Sequence, residues 1–294
     1  MISIIICSRT SDISHALRKN IENTIGVEHE IIVINNEDNR YDIFQAYNIA
    51  IAQARYQIIC FMHDDILYHT QNWGTCVFKY FQDNSVGMIG ISGPTYMGKL
   101  PSVWWGIDCG PIKSPNIRQY NIDSNRFNPD ERHTTLINPE QASAAEVVAC
   151  DGLFFCIRKS LFDTIKFDEC LQGFHFYDMD ISLQIKRMGA KILCVYDILI
   201  EHKSYPNLKK EWIDASRRFY DKWNCFLPVE SVSHSPEEQR SMQTNALNTM
   251  LKLISANEIS PFKYFHAKEI IYIVRHFPVF IMKKICHRIF SFLK

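Results

Sequence analysis

The chain has 294 residues, 47% of them hydrophobic and 22% charged, and its 32 Lys and Arg balance 32 Asp and Glu. That composition is globular and long enough to bury one large core with an appendage, and zero net charge leaves no global field to attract nucleic acid or another polyanion. Nucleic acid is therefore not expected as a partner, and any charge-driven contact must be met by a local patch. Ten cysteines without Cys-x-x-Cys spacing, several of them inside apolar runs, read as small buried hydrophobes in a reducing compartment. The opening ISIIICS carries neither a basic leader nor a cleavage site, which points to the cytoplasm. The apolar runs near the C-terminus fall well short of the roughly 20 residues that span a bilayer.

Through residue 92 strands and helices alternate. Ile2 to Cys7 predicts a strand, Ser11 to Thr24 a helix, Glu30 to Ile34 a strand and Ile43 to Ala54 a helix. Gln57 to Met62 follows as a strand, Trp73 to Gln82 as a helix and Val86 to Ile91 as a strand. The strands are continuous Ile, Val and Cys runs, as expected when helices cover both faces of a sheet. The fold class is α/β, a doubly wound, mostly parallel sheet. Ligands bind such sheets at the carboxyl ends of strands, which directs attention to Ser8-Arg9-Thr10, Asn35-Asn36 and His63-Asp64-Asp65.

Residues 93 to about 145 show no sustained period and are expected to form a long structureless excursion with a functional role. Regular structure resumes over Val147 to Ile157, in helices over Lys159 to Phe162 and Asp178 to Met188, and in a strand over Lys191 to Val195. Ser231 to Arg240 reads as a polar linker before two helical segments. In the last of them Lys283, Lys284, His287, Arg288, Ser291 and Lys294 share one helical face, opposite Ile281, Met282, Ile285, Ile289, Phe292 and Leu293. A basic amphipathic helix of this kind can lie on an anionic membrane surface, or pack its apolar face on protein. The expected organisation is a domain of residues 1–228, with halves 1–92 and 93–228, and a helical extension of residues 229–294.

Two adjacent acids at the end of a buried strand, Asp64 and Asp65, are costly unless they are solvated or paired with a cation. By themselves they read equally well as a solvated strand end or as N-cap acids for the next turn. The wider pattern adds IIICSRT, EIIVINNED, AYNIAIAQARYQIICFMHDDI, CDGLFFCIRKSLFD, FDECLQGFHFYDMDISLQIKRMGAKI and a late IEH at 200–202. In order and spacing, over about residues 1–202, this set resembles the family-2-like glycosyltransferases of the GT-A fold, and the HDDI and NWG segments resemble a glycosyltransferase-like branch of them.

The resemblance implies transfer of a sugar from a nucleotide-sugar, a UDP-sugar first among the candidates, to a glycan or lipid-linked acceptor, with Mn2+ or Mg2+ as cofactor. It implies Asp65 and His202 as metal ligands and Asp64 as a donor contact. It further implies Ser8, Arg9, Asn35, Asn36 and Asn48 around the nucleotide, and Asp178 as the base of an inverting transfer. Tyr177, Asp151 and Gly152 fall on the acceptor side, where Trp104 and Trp105 can stack on a sugar ring or merely pack beneath a loop. Two other classes stay open. A nucleotidyltransferase would carry a Gly-rich basic phosphate loop, which ICSRTSD lacks, and a non-catalytic carbohydrate-binding protein would not need Asp65 and Asp178 together.

Overall fold

The computed structural model describes residues 1–103, 117–124, 128, 130–203 and 208–278. In chain order it begins β1 (Ile2–Ser8), α1 (His15–Thr24), β2 (His29–Asn35), α2 (Ile43–Gln53), β3 (Ile58–Met62), β4 (Ile66–Tyr68), α3 (Trp73–Phe81), β5 (Val86–Gly90), β6 (Ser92–Pro94) and β7 (Tyr96–Met97). It continues β8 (Ile117–Ser124), β9 (Arg132–Ile137), β10 (Ala144–Glu146), β11 (Phe154–Arg158), α4 (Tyr177–Arg187), β12 (Lys191–Val195) and β13 (Ile200–His202). The rest is α5 (Lys210–Trp223), β14 (Val229–Glu230), α6 (Pro236–Ala256), α7 (Pro261–Tyr264) and α8 (Ala267–His276). As far as their residues are described, one compact unit comprises Met1–Met97, Asn116–Asn207 and Pro228–Ser233, and the other Gly98–Pro115, Leu208–Leu227 and His234–Lys294.

The first unit is built on a seven-stranded sheet of order β10-β12-β5-β11-β3-β1-β2. β1 runs parallel to β2 and β3, and β5 parallel to β12, whereas β11 is antiparallel to β3 and β5, and β10 to β12. Successive side chains of β1 feed two cores. Ile2, Ile4 and Ile6 pack with Leu17 and Ile21 of α1 and Trp73 and Val77 of α3, and Ile5 packs with Phe44 and Tyr47 of α2 and Ile181 and Ile185 of α4. Helices therefore cover both faces, so unbroken apolar runs are what these strands require. Each fully buried Ile or Phe contributes roughly 1.5–3 kcal/mol. The doubly wound, mostly parallel sheet expected from the sequence is the one the chain forms.

Local chemistry sets the helix starts. α1 begins at His15 rather than Ser11 because the Ser14 side chain caps the backbone N–H of Leu17, and α2 opens with a reciprocal cap between Asp42 and Gln45. Two expectations are corrected. The stretch 93–145 is not structureless: β6 and β8, with β9 on β8 and β13 and β4 beyond, make a five-stranded second sheet, and β10 joins the main one. The Ser231 to Arg240 linker ends early, because Ser235 and Glu238 form a capping box that starts α6, with Pro236 in its first turn.

In the second unit α5 buries Trp212, Ile213, Phe219 and Trp223. Its Arg217 grips the carboxylate of Glu269 with two hydrogen bonds of 2.8 and 3.0 Å, and Ser216 meets the Tyr264 hydroxyl at 2.6 Å. Ile271 and Val274 of α8 and Phe262 of α7 face solvent. No helix among the described residues is long and apolar enough to cross a membrane. The amphipathic segment expected over 279–294 lies outside the described residues.

Candidate active site

β3 is buried along its whole length and ends at Met62, so the chain emerges at His63-Asp64-Asp65. The His63 backbone N–H donates to the Leu153 carbonyl at 3.1 Å, which holds the emerging residue against the end of β11. Directly afterwards β4 pairs antiparallel with β13, setting Ile66 opposite His202, and the Lys203 N–H closes on the Asp65 carbonyl at 3.1 Å. This pairing carries His202 to Asp65 across 137 residues of sequence. His202 Nε2 lies 3.5 Å from Asp65 Oδ1, His63 Nδ1 lies 3.9 Å from that oxygen, and the two ring nitrogens are 3.5 Å apart. A point equidistant from three atoms so spaced lies about 2.1 Å from each, the length of a bond between imidazole or carboxylate and a small divalent ion. Two imidazoles and a carboxylate converging on one point are a donor set that fits such an ion.

A second wall comes from the turn 150–152, which is held through three successive backbone N–H groups. Cys150 donates to Ser182 Oγ at 3.2 Å, Asp151 to the Ser92 carbonyl at 2.9 Å and Gly152 to Asp178 Oδ2 at 2.8 Å. α4 starts from Phe176 at φ 65°, a left-handed conformation unfavourable for a bulky residue and sustained here by burial. That start drives Tyr177 and Asp178 onto Gly152. A Cβ at position 152 would lie 2.2 Å from the Tyr177 hydroxyl and 3.2 Å from Asp178 Oδ2, so only glycine fits. The Tyr177 hydroxyl donates to the Gly152 carbonyl at 3.2 Å and lies 3.0 Å from His63 Nε2.

The structure brings together Ser8, Asp64, Asp65, His202, Asp151, Gly152, Tyr177 and Asp178. Ser8 is buried and donates to Asp64 Oδ2 at 2.8 Å. Arg9 and Asn35 stand exposed at the ends of β1 and β2. The side chains of Asn36, Asn48 and Tyr177 are engaged within the fold. The Asn36 side chain is buried and closes its own loop through both backbone groups of Tyr41. Asn48 is not brought to the cluster, because its amide binds the Phe167 backbone and the Glu169 carboxylate. Tyr177, expected on the acceptor side, turns its hydroxyl inward. Trp104 and Trp105 lie outside the described residues. Two residues were not assigned from sequence: His63, and Asp123, which β8 sets in register with His202.

Burial dominates the electrostatics. It pushes Asp178 up to about 7, with the charge of Asp151 adding and the Met179 and Gly152 N–H groups opposing. It also raises Asp123, aided by Asp151 and opposed by His202 and Asn121, and it lowers His63, with His202 adding. In His202 burial is overcome by the hydrogen bond and charge of Asp65, and the imidazole is raised. The folded chain thus holds a proton on Asp178 that an unfolded chain releases near the ordinary value of 3.8, so stability falls as pH rises to about 7 and levels off above it. In EDTA, Asp178→Asn should lack that part of the decline, read as the shift in urea midpoint between about pH 5 and about pH 7. A variant declining as steeply as the parent would contradict the assignment.

Residues 3–224 match the family described as "Glycosyltransferase like family". No curated relative matches the chain. Among solved structures, GalNAc-T7 with UDP, GalNAc and Mn2+ is 14% identical at a TM-score of 0.48, covering 94% of this chain, which spans 58% of that one. The mannosyltransferase PcManGT from Pyrobaculum calidifontis with GDP-Man and Mn2+ is 11% identical at 0.48, covering 87% and 74%, and A197 from STIV is 11% identical at 0.40, covering 69% and 86%. At such scores none of the three decides the fold, which rests on the strand order above. The family match spans more than half of the sequence, so the chain belongs to the glycosyltransferase-like family.

Proposed function

We propose that the chain transfers a sugar from a nucleotide-sugar, a UDP-sugar first among the candidates, to an acceptor hydroxyl with inversion at the anomeric carbon. The observation that carries this reading is the convergence of Asp64, Asp65, Asp151, Asp178, His63 and His202 at the end of β3. So many acids in a half-buried site are stable beside a cation and a hydroxyl-bearing ligand, and hard to account for without them. Asp65 and His202 would hold Mn2+ or Mg2+, which when bound offsets the charge developing on the departing diphosphate. Asp64, steadied by Ser8, would contact the donor ribose or sugar. Arg9 and Asn35, exposed beside it, are the remaining candidates for nucleotide contacts.

Asp178 would act as base. A carboxylate raised to about 7 is well matched to removing a proton from a hydroxyl near neutral pH. The acceptor oxygen bonds to the anomeric carbon as the bond to the diphosphate oxygen breaks, and the acceptor proton passes to Asp178. Asp151 and Gly152 flank that acid on the acceptor side. The catalytic domain is taken as residues 1–228, which include the matched span.

Asp65→Asn should remove most turnover and donor binding while the thermal melt stays close to the parent's. Full activity of this variant, or of the parent in excess EDTA, would sink the metal-dependent reading. The acceptor is read as a glycan or lipid-linked precursor in polysaccharide synthesis, met at the cytoplasmic face of a membrane. The basic amphipathic run 279–294 supports that placement, as do the solvent-facing Ile271 and Val274 of α8, flanked by exposed Lys268 and Arg275. Sedimentation with anionic liposomes should carry down the full chain at low salt and leave a chain lacking 279–294 in solution. A full chain that ignores the liposomes overturns this placement.

A further inference from the structure

The Tyr177 hydroxyl has a single hydrogen. The Gly152 carbonyl, 3.2 Å away, can only accept, so that hydrogen serves it. Towards His63 Nε2, at 3.0 Å, the phenolic oxygen can then offer only a lone pair, and the imidazole must carry its hydrogen on Nε2. A neutral imidazole protonated at Nε2 has an unprotonated Nδ1. That atom is the one standing 3.5 Å from His202 Nε2 and 3.9 Å from Asp65 Oδ1.

The geometry points to His63 as a third protein ligand and to Tyr177 as the positioning residue that fixes its tautomer, so that the site takes a first-row transition ion in preference to Mg2+. The inference rests on the metal-dependent reading of the same site. Two imidazoles and one carboxylate are a poor match for Mg2+, which favours oxygen ligands and gives up its water reluctantly. Transition ions accept imidazole readily, and a second-sphere partner that orients a ligating histidine typically changes metal affinity by about 10- to 100-fold. The arrangement is also rigid. Tyr177 is clamped between Gly152 and the rings of Phe44, Tyr47 and Phe167, so its oxygen has little freedom to follow a rotated imidazole.

The test uses the full chain and Mn2+ alone. Binding is followed by loss of the free-ion electron paramagnetic resonance signal, and nitrogens coupled to the bound ion are counted by the pulsed form of the method. The expected result is two imidazole nitrogens in the parent and one in His63→Asn. Tyr177→Phe, which keeps the ring and loses only the hydroxyl, should bind Mn2+ about tenfold or more weakly. A roughly tenfold excess of Mg2+ should leave Mn2+ in place on the parent. One nitrogen in the parent, Mn2+ binding by Tyr177→Phe equal to the parent's, or ready displacement by Mg2+ would overturn this inference and leave ligation by Asp65 and His202 standing. No Mn2+ binding by the folded parent would overturn the inference and the metal-dependent reading together. The parent measurement requires no variant, so a misfolded substitution cannot rescue the idea.

Discussion

Much of this site depends on how closely α4 can approach the turn after Cys150. With a side chain at 152 the Tyr177 ring would have to withdraw, since even a methyl group would overlap its hydroxyl. Glycine permits the approach, and two consequences follow from the same contact. The Gly152 N–H reaches Asp178 Oδ2, fixing the acid, and the Gly152 carbonyl accepts from the Tyr177 hydroxyl, whose oxygen stands 3.0 Å from His63 Nε2. One backbone position thereby orders both the acid proposed as base and the imidazole beside Asp65. The strained Phe176 that begins α4 belongs to the same arrangement, because a relaxed helix start would aim Tyr177 and Asp178 elsewhere.

The second constraint is electrostatic. Asp64, Asp65, Asp123, Asp151 and Asp178 come from four separate segments and repel one another in partly dehydrated surroundings. Their strain is relieved unevenly. Asp64 accepts from Ser8, Asp178 accepts from two backbone N–H groups, and Asp65 lies by the imidazole of His202, which it raises. Asp123 and Asp178 retain raised values because burial and neighbouring acid outweigh their hydrogen bonds. A site so charged is poised for a cation, and the converging atoms of His63, Asp65 and His202 are where one fits.

What could be read from the sequence follows the range of the interactions. The alternating strands and helices up to residue 92 were legible, because period and caps are local and each strand declares its two buried faces. So was the position of HDDI at the end of a buried strand. The hairpin of β8 and β9 escaped, since its pairing partners β6 and β13 lie far away in sequence and its alternation is weak. Asp123 went with it. His63 was in view but its surroundings were not, because the Tyr177 hydroxyl beside it comes from 114 residues away. The partners of Asn48, Phe167 and Glu169, are likewise invisible to a local reading of α2. The start of α6 was the avoidable error, given a Ser-Pro-Glu-Glu cap written in the sequence.

The central claim is that these residues recognise a nucleoside diphosphate through a divalent ion, and calorimetric titration of the full chain tests it most directly. UDP, GDP and dTDP are each titrated with Mn2+ present and again in EDTA. The account predicts that at least one binds with Mn2+ and releases no binding heat in EDTA, and that Mn2+ itself binds more tightly once that nucleotide is present. Failure of all three to bind in Mn2+, or binding of equal strength in EDTA, would contradict it.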